Sequence, residues 1–436
     1  MSVVESAAST IRATPFRNTA SLIDRTRMHF EAAHHRGLMA VYGRSEEGRA
    51  VSLTGGNPRG NTIIDYVRCS YLGLDNHPAI VAGAVAAMEE YGSLHWSCAR
   101  TRLNFGLIGD LEVTLSQLFG ARVIAYSTVM VANMGALPII ASGHLTEGQR
   151  PVMVFDRLAH ASLAFHKAVV AEEAQVETIP HNDLDALEQI CRKHPIVVYV
   201  CDGVYSMGGF APIEGLLQLQ EKYGLFLYID DAHGISLFGE KGEGFARSQL
   251  PRDLGERTIV AASLGKGFGA SGGMLMLGTA DQEALFRCYS IPYAFSASPN
   301  LAAVGAALAS AEIHRTSELK IRQGQLAERI AFFDERIDTD QRSAPLPIRM
   351  IKVGDEFAAI DFAGRLLDDG LYTSVTFFPT VARGHAGIRI CLTADHDPAD
   401  LERLCSKIQS YEKPVLTRGS SPNDIDAAAA PGRLPL

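Results

Sequence analysis

The sequence predicts an α/β fold built on a large, mostly parallel sheet. Three observations carry this. Between about residues 120 and 280, short apolar and β-branched runs alternate with helical stretches. The side chains able to do chemistry stand just past those runs, and open α/β sheets bind ligands at the carboxyl ends of their strands. Two such positions, an acid and a lysine set among glycines, suit a single kind of chemistry.

Taken in order, Val123-Ile124-Ala125-Tyr126 reads as a strand, and Ser127-Thr128-Val129-Met130-Val131-Ala132-Asn133 leads into a helix. The backbone N–H groups at such a helix start suit a phosphate. Pro151 to Asp156 is the next strand, followed by Arg157-Leu158-Ala159-His160-Ala161-Ser162. His181-Asn182-Asp183 opens a helix, with Asn182 or Asp183 as its N-cap. Ile196-Val197-Val198-Tyr199-Val200 is a β-branched strand, and Asp202-Gly203-Val204-Tyr205-Ser206-Met207-Gly208-Gly209 follows it. Leu225-Phe226-Leu227 runs into Tyr228-Ile229-Asp230-Asp231-Ala232-His233-Gly234. Thr258 to Ala262 runs into Ser263-Leu264-Gly265-Lys266-Gly267-Phe268-Gly269.

Outside this block, Ser21 to Phe30 has partial helical periodicity, and Thr54 to Thr62 is a loop by composition. Pro78 to Tyr91 reads as a helix capped by Asn76 or a near neighbour. A helical stretch runs from Asn300 to about Arg336. Residues 414–436 are rich in Ser, Pro, Gly and Ala and read as a disordered tail.

A lysine at a strand end is costly to bury as a cation. Burial lowers the pKa of an amine, and a neutral amine is a nucleophile. Lys266 therefore reads as a Schiff-base lysine for a carbonyl cofactor. The glycines around it let a flat ligand approach the backbone. Asp230, 36 positions upstream, supplies the carboxylate that keeps a pyridine nitrogen protonated. Taken singly, Lys266 also fits a solvated turn, and Asp230 and Asp231 also fit a strand-end cap. The pair, in this order, points to pyridoxal 5'-phosphate.

With these motifs the chain resembles the α-oxoamine synthases, PLP enzymes of aminotransferase fold type I, from about Tyr66 to about Leu404. The resemblance implies a large PLP-binding domain over residues 63–300, a smaller C-terminal α+β domain over 301–413, and an N-terminal arm over 1–62 that packs on a partner subunit. It implies that His160 stacks on the cofactor ring and that His233 and Ser206 bond its phenolic oxygen. It implies that Thr128, Val129, Met130 and Ser263 bind the phosphate and that Ser296 reaches the phosphate of the neighbouring subunit. It further implies that Arg389, in Gly387-Ile388-Arg389-Ile390-Cys391, holds the amino acid's carboxylate through paired hydrogen bonds. The phrase Arg68-Cys69-Ser70-Tyr71-Leu72-Gly73-Leu74 matches the family's entry segment, which is asparagine-rich.

The chain departs from the family in two places. A glycine and an aromatic usually stand where Val129 and Met130 are. The glycines before Thr101-Arg102 are replaced by Ser93-Leu94-His95-Trp96-Ser97-Cys98-Ala99-Arg100. Trp96, the one tryptophan, lines the substrate pocket or anchors the subunit interface, and the sequence leaves both open.

Composition narrows the function classes. A net charge of −9 and a pI near 5.9 argue against general nucleic-acid binding. The chain has no apolar run long enough for a membrane span and no N-terminal apolar leader. Seven scattered cysteines with no C-x-x-C pair fit a reduced, cytoplasmic protein with no metal site. The expectation is a homodimer with shared active sites, joining an amino acid to an acyl-CoA or acyl-carrier-protein thioester. Two alternatives are an aldolase, decarboxylase or aminotransferase on the same fold, and a catalytically silent subunit.

Overall fold

The computed structural model describes residues 19–54 and 62–416, with side chains as far as Tyr411. At its centre is a seven-stranded sheet. The strands are β1 (Arg122–Tyr126), β2 (Val152–Asp156), β3 (Gln175–Ile179), β4 (Val197–Asp202), β5 (Phe226–Asp230), β6 (Thr258–Ser263) and β7 (Gly273–Leu277). Their spatial order is β1-β7-β6-β5-β4-β2-β3. β7 runs antiparallel to both its neighbours, and the pairings from β6 through to β3 are parallel.

Side chains alternate across the pleat between two cores. Val123, Val154, Tyr199, Leu227 and Val260 enter one core. Ile124, Phe155, Val198, Tyr228 and Ile259 enter the other. Both faces of the sheet are covered, so its strands read as continuous apolar runs rather than alternating ones. β3 was missed for the opposite reason. It is an edge strand, half-exposed along Gln175–Ile179, and has no apolar run to announce it.

Register then places the carboxyl ends side by side. Asp202 pairs with Asp230 across β4 and β5. Gly273, the first residue of β7, faces both Ser263 and Tyr126. A Cβ added at Gly273 would lie 2.2–2.6 Å from backbone atoms of Thr128 and Val129. A glycine there lets the sheet meet the start of the helix Val129–Ala141.

Two smaller sheets flank this one. Gly43–Ser45, Ala50–Leu53, Thr62–Asp65 and Leu371–Tyr372 form one, in that order, so the N-terminal part of the chain is stitched to the C-terminal part. β8 (Ile348–Gly354), β9 (Ser374–Thr376) and β10 (Ala386–Cys391) form the other, antiparallel, in the order β8-β10-β9. The helix Glu356–Asp368 packs on it.

The helix Thr19–His35 of the expected arm makes contacts within its own chain. Its His29 ring meets Phe357 and Phe377, and Arg36, just past its end, pairs with Asp368 at 2.6 Å. His77, the near neighbour of Asn76, caps the helix Pro78–Tyr91 as expected, its side chain accepting from the Ala79 N–H. Three boundaries are corrected. The stretch from Asn300 is two helices, Leu301–Ile313 and Ser317–Asp334, because Thr316 caps the second with its hydroxyl. Thr62 begins a strand rather than ending a loop, and 55–61 of that loop lie outside the described residues. The helix Pro398–Leu416 takes in the start of the expected tail, and 417–436 lie outside the described residues.

Candidate active site

The lysine loop follows β6 and is held from behind. Gly269 has φ +75°, and a Cβ there would meet Leu74 at 2.3–2.9 Å. The Tyr71-Leu72-Gly73-Leu74 phrase is thus the seat on which the loop rests. The Ser310 hydroxyl donates to the Phe268 carbonyl at 2.5 Å and fixes the far side. Lys266 Nζ lies 2.8 Å from His233 Nε2, and His233 Nδ1 lies 2.7 Å from the Tyr71 hydroxyl.

Burial, with the Lys266 and Arg389 charges, holds the His233 imidazole well below its ordinary pKa. A neutral imidazole accepts at Nε2 from the lysine and donates Nδ1–H to the tyrosine oxygen. Burial also lowers the Lys266 pKa, although Cys69 and Asp230 act to raise it.

Asp230 ends β5 and is 2% exposed. It accepts from Asn133 Nδ2 at 2.8 Å and from the Ala232 N–H at 3.0 Å. Asn133 is oriented in turn by the Tyr228 hydroxyl at 2.7 Å and by Ser162 at 3.1 Å. Asp231 points the other way, as the next residue of an extended chain does. It accepts from the Ala246 N–H at 2.8 Å, and a Cβ at Gly203, Gly234 or Gly244 would lie 2.1–2.5 Å from its carboxyl. Burial pushes its pKa up to about 8.

His160 caps the short helix Ala161–Ala164. Its N–H donates to Asp202 at 2.8 Å, and its Nδ1 is 2.9 Å from the Ser162 hydroxyl. A chain of hydrogen bonds therefore runs from His160 through Ser162 and Asn133 to Asp230. The His160 ring itself is exposed. Arg389, 8% exposed, reaches from β10 and donates through Nε to the Ser206 carbonyl at 2.6 Å and through Nη2 to Cys69 Sγ at 3.5 Å. Ser263 Oγ accepts from the Gly265 N–H at 3.2 Å. Thr128 caps its helix by accepting from the Val131 N–H at 3.2 Å, with Val129 and Met130 forming the first turn.

Two of the expected residues stand apart from this group. Ser296 is exposed at the end of the helix Ile291–Phe295. The Trp96 ring is turned into the chain, edge-on to Tyr91 at 6.3 Å and to Phe105 at 6.1 Å, and partly buried against the main core. Leu94 and His95, not Trp96, line a cavity of about 320 Å³ with Ser127, Ser271 and Asn300. Within the single chain, Trp96 thus belongs to an aromatic cluster and does not line this cavity.

The donor set fits pyridoxal 5'-phosphate. It offers a partly buried amine against a neutral imidazole, a buried carboxylate on the adjoining strand, an uncovered flat ring at His160, and a helix start with Ser263 nearby in the register. Sequence reasoning missed Tyr71, Cys69 and Asp202 as neighbours of these groups. The first two stood in the entry phrase, but their contacts join segments more than 160 positions apart.

The sequence model of aminotransferase class I and II matches residues 72–408. The 8-amino-7-oxononanoate synthase of Geobacter sulfurreducens is 30% identical over 392 residues, covering 88% of this chain and 95% of that one. That of Maricaulis maris is 30% identical over 358 residues, covering 80% and 87%. Among solved structures, a Sphingomonas wittichii serine palmitoyltransferase superposes with a TM-score of 0.80 at 21% identity, over 92% of this chain and all of that one. An 8-amino-7-oxononanoate synthase from Francisella tularensis gives 0.66 at 19% identity, over 81% and 98%. The chain belongs to the class I and II aminotransferase family and, within it, to the α-oxoamine synthases.

Proposed function

We propose that this protein is a pyridoxal 5'-phosphate-dependent acyltransferase that condenses an amino acid with an acyl thioester, losing CO2 to give an α-aminoketone. The observation that carries the proposal is the Lys266–His233–Tyr71 relay beside Asp230, in a chain that matches 8-amino-7-oxononanoate synthases over most of its length. Bound here, the cofactor supplies a protonated ring that takes up negative charge from the substrate's α-carbon.

The protein's own groups do the rest. Lys266 Nζ would hold the cofactor at its carbonyl carbon and would serve as the base that accepts the substrate's α-proton. His233 keeps Nζ in position and shares the phenolic oxygen with Ser206. Asp230, fixed by Asn133, keeps the ring nitrogen protonated. His160 covers one ring face. Thr128, Val129, Met130 and Ser263 hold the phosphate at the helix start. Arg389 anchors the amino acid's carboxylate.

The working unit in this reading is a homodimer in which Ser296 reaches the second subunit's phosphate. Support comes from exposed apolar side chains on two touching helices, Met130 and Met134 on one, Ile291 and Phe295 on the other. Among the described residues no helix is long and apolar enough to cross a membrane. Seven free cysteines support a reducing compartment, which we take to be the cytoplasm. The test is mass spectrometry of products from a panel of amino acids crossed with acyl-CoA and acyl-carrier-protein thioesters. Turnover of an amino acid without any thioester would count against the acyltransferase and for an aldolase, decarboxylase or aminotransferase.

A further inference from the structure

Cys69 and Cys391 lie with their sulfurs 4.0 Å apart. They meet because the stretch after Asp65 runs alongside the end of β10. The Cys391 N–H donates to the Tyr66 carbonyl at 2.8 Å, and the Ala394 N–H donates to the Tyr71 carbonyl at 2.8 Å. Bonding the two sulfurs requires them to close by about 2 Å. Cys69 lies outside any strand, whereas Cys391 ends β10.

The two thiols are not equivalent. Cys391 is wholly buried, whereas Cys69 is partly exposed and accepts from Arg389 Nη2 at 3.5 Å. A hydrogen bond from Cys391, with the Arg389 and Lys266 charges, holds the Cys69 thiol well below its ordinary pKa despite burial. Its hydrogen bond to Cys69 and its burial hold Cys391 well above. Cys69 is therefore placed to act as the nucleophile and Cys391 to follow it.

We propose that Cys69 and Cys391 form a reversible oxidation site at the carboxylate end of the active site, with a hydroperoxide as oxidant. The Cys69 thiolate attacks the O–O bond and becomes a sulfenic acid, while the other oxygen leaves as alkoxide or hydroxide and takes up a proton. Cys391 gives up its proton, attacks the Cys69 sulfur and displaces the hydroxyl as water, closing the disulfide. Overall two thiols are oxidised, one peroxide is reduced, and one water and one alcohol (or a second water) are released. A dithiol reductant restores both thiols. The consequence for catalysis rests on Arg389 being the carboxylate anchor. A Cys69 thiolate competes with the substrate carboxylate for that guanidinium, and a disulfide carries no charge, so oxidation lowers the KM for the amino acid.

The test titrates the holoenzyme with hydrogen peroxide, maps the cysteines by peptide mass spectrometry and measures amino-acid KM before and after. The expected result is a Cys69–Cys391 linked peptide, two hydrogens lighter than its parts, at doses that leave the exposed Cys288 reduced. It should vanish with dithiothreitol and be absent from Cys69→Ser and Cys391→Ser. In Cys391→Ser the Cys69 sulfur should run on to the sulfinic acid. Two results overturn the proposal: both thiols surviving doses that oxidise Cys288, or wild-type Cys69 reaching the sulfinic acid with Cys391 untouched. The wild-type map decides alone if a serine variant fails to fold. KM should fall severalfold on oxidation. A linked pair with an unchanged KM keeps the oxidation site and removes Arg389 from carboxylate binding.

Discussion

The strand ends and the exposed side chains of Leu94 and Met130 are under opposite constraints. At the strand ends, Asp230 is 2% and His233 5% exposed, and each is held by partners from distant parts of the chain. By contrast, Leu94 is 59% and Met130 48% exposed in the single chain. A change at a strand end must leave a buried polar group unpaired, which costs about 1–3 kcal/mol before any chemistry is lost. A change at Leu94 or Met130 disturbs little within the chain. The proposed lysine and carboxylate thus stand where the fold resists substitution, and Leu94 and Met130 stand where it does not. Specificity for the acyl donor is expected to reside in the second region.

The largest expected effect breaks the first region outright. Lys266→Ala should lower kcat by about ten-thousandfold, the upper end for a lost general base. Borohydride treatment of the wild type followed by peptide mapping should place the cofactor on Lys266, and a label on any other lysine would remove it from that role. Asp230→Asn should retain the cofactor and lower kcat by about a hundredfold or more.

Asp231→Asn sharpens the contrast, since its side chain faces glycines and the Ala246 N–H instead of Asn133. Its kcat should move by no more than a few-fold. Its effect belongs to stability. The folded-state pKa of Asp231 is about 8, above an unfolded value of about 3.9. Between those values the folded protein keeps a proton that the unfolded chain has released, so stability falls as pH rises through the window. Asparagine cannot ionise. The variant should therefore gain in Tm relative to the parent between about pH 5 and pH 8, and Tm curves that stay parallel would contradict the burial argument.

How far the site could be read from sequence follows the same divide. Lys266, Asp230, His233 and His160 were legible because each follows an apolar run, and strand ends in this fold class converge. Their partners were not. Nothing in the spacing of Tyr71 and His233, or of Cys69 and Arg389, announces a contact, because only tertiary pairing brings those segments together. The aromatic cluster around Trp96 was not legible for a related reason. A lone tryptophan in a polar stretch looks available for binding, but the helix Pro78–Tyr91 leaves Tyr91 beside Phe105 with room for one more ring.

Arg389→Lys tests the border between the regions. Lysine keeps the charge but cannot make the paired hydrogen bonds, nor reach the Ser206 carbonyl with the same fork. The amino-acid KM should rise by about ten- to a hundredfold, the worth of one charge-assisted hydrogen bond, with kcat changing less. An unaltered KM would place the carboxylate elsewhere.

The smallest effect is expected in the second region and separates two neighbouring residues. Leu94 lines the cavity beside Ser127 and Ser271, whereas Trp96 packs on Tyr91 and Phe105. Leu94→Gly should widen the space beside Ser127 and shift the preferred acyl chain length. A hydrophobic contact discriminates by about 1–3 kcal/mol per methylene, so the shift should be tens of fold and no more. Trp96→Gly should instead lower Tm, because each lost edge-to-face pair is worth about 0.5–1.5 kcal/mol beyond the area it buries. Its acyl profile should stay close to the parent's. The two variants, compared on one panel of acyl thioesters and in one melting experiment, should therefore show opposite patterns. A chain-length shift in Trp96→Gly without loss of Tm would return Trp96 to the pocket. An unchanged profile in Leu94→Gly would mean that this edge does not select the acyl donor, and the comparison between the regions would lose its functional half.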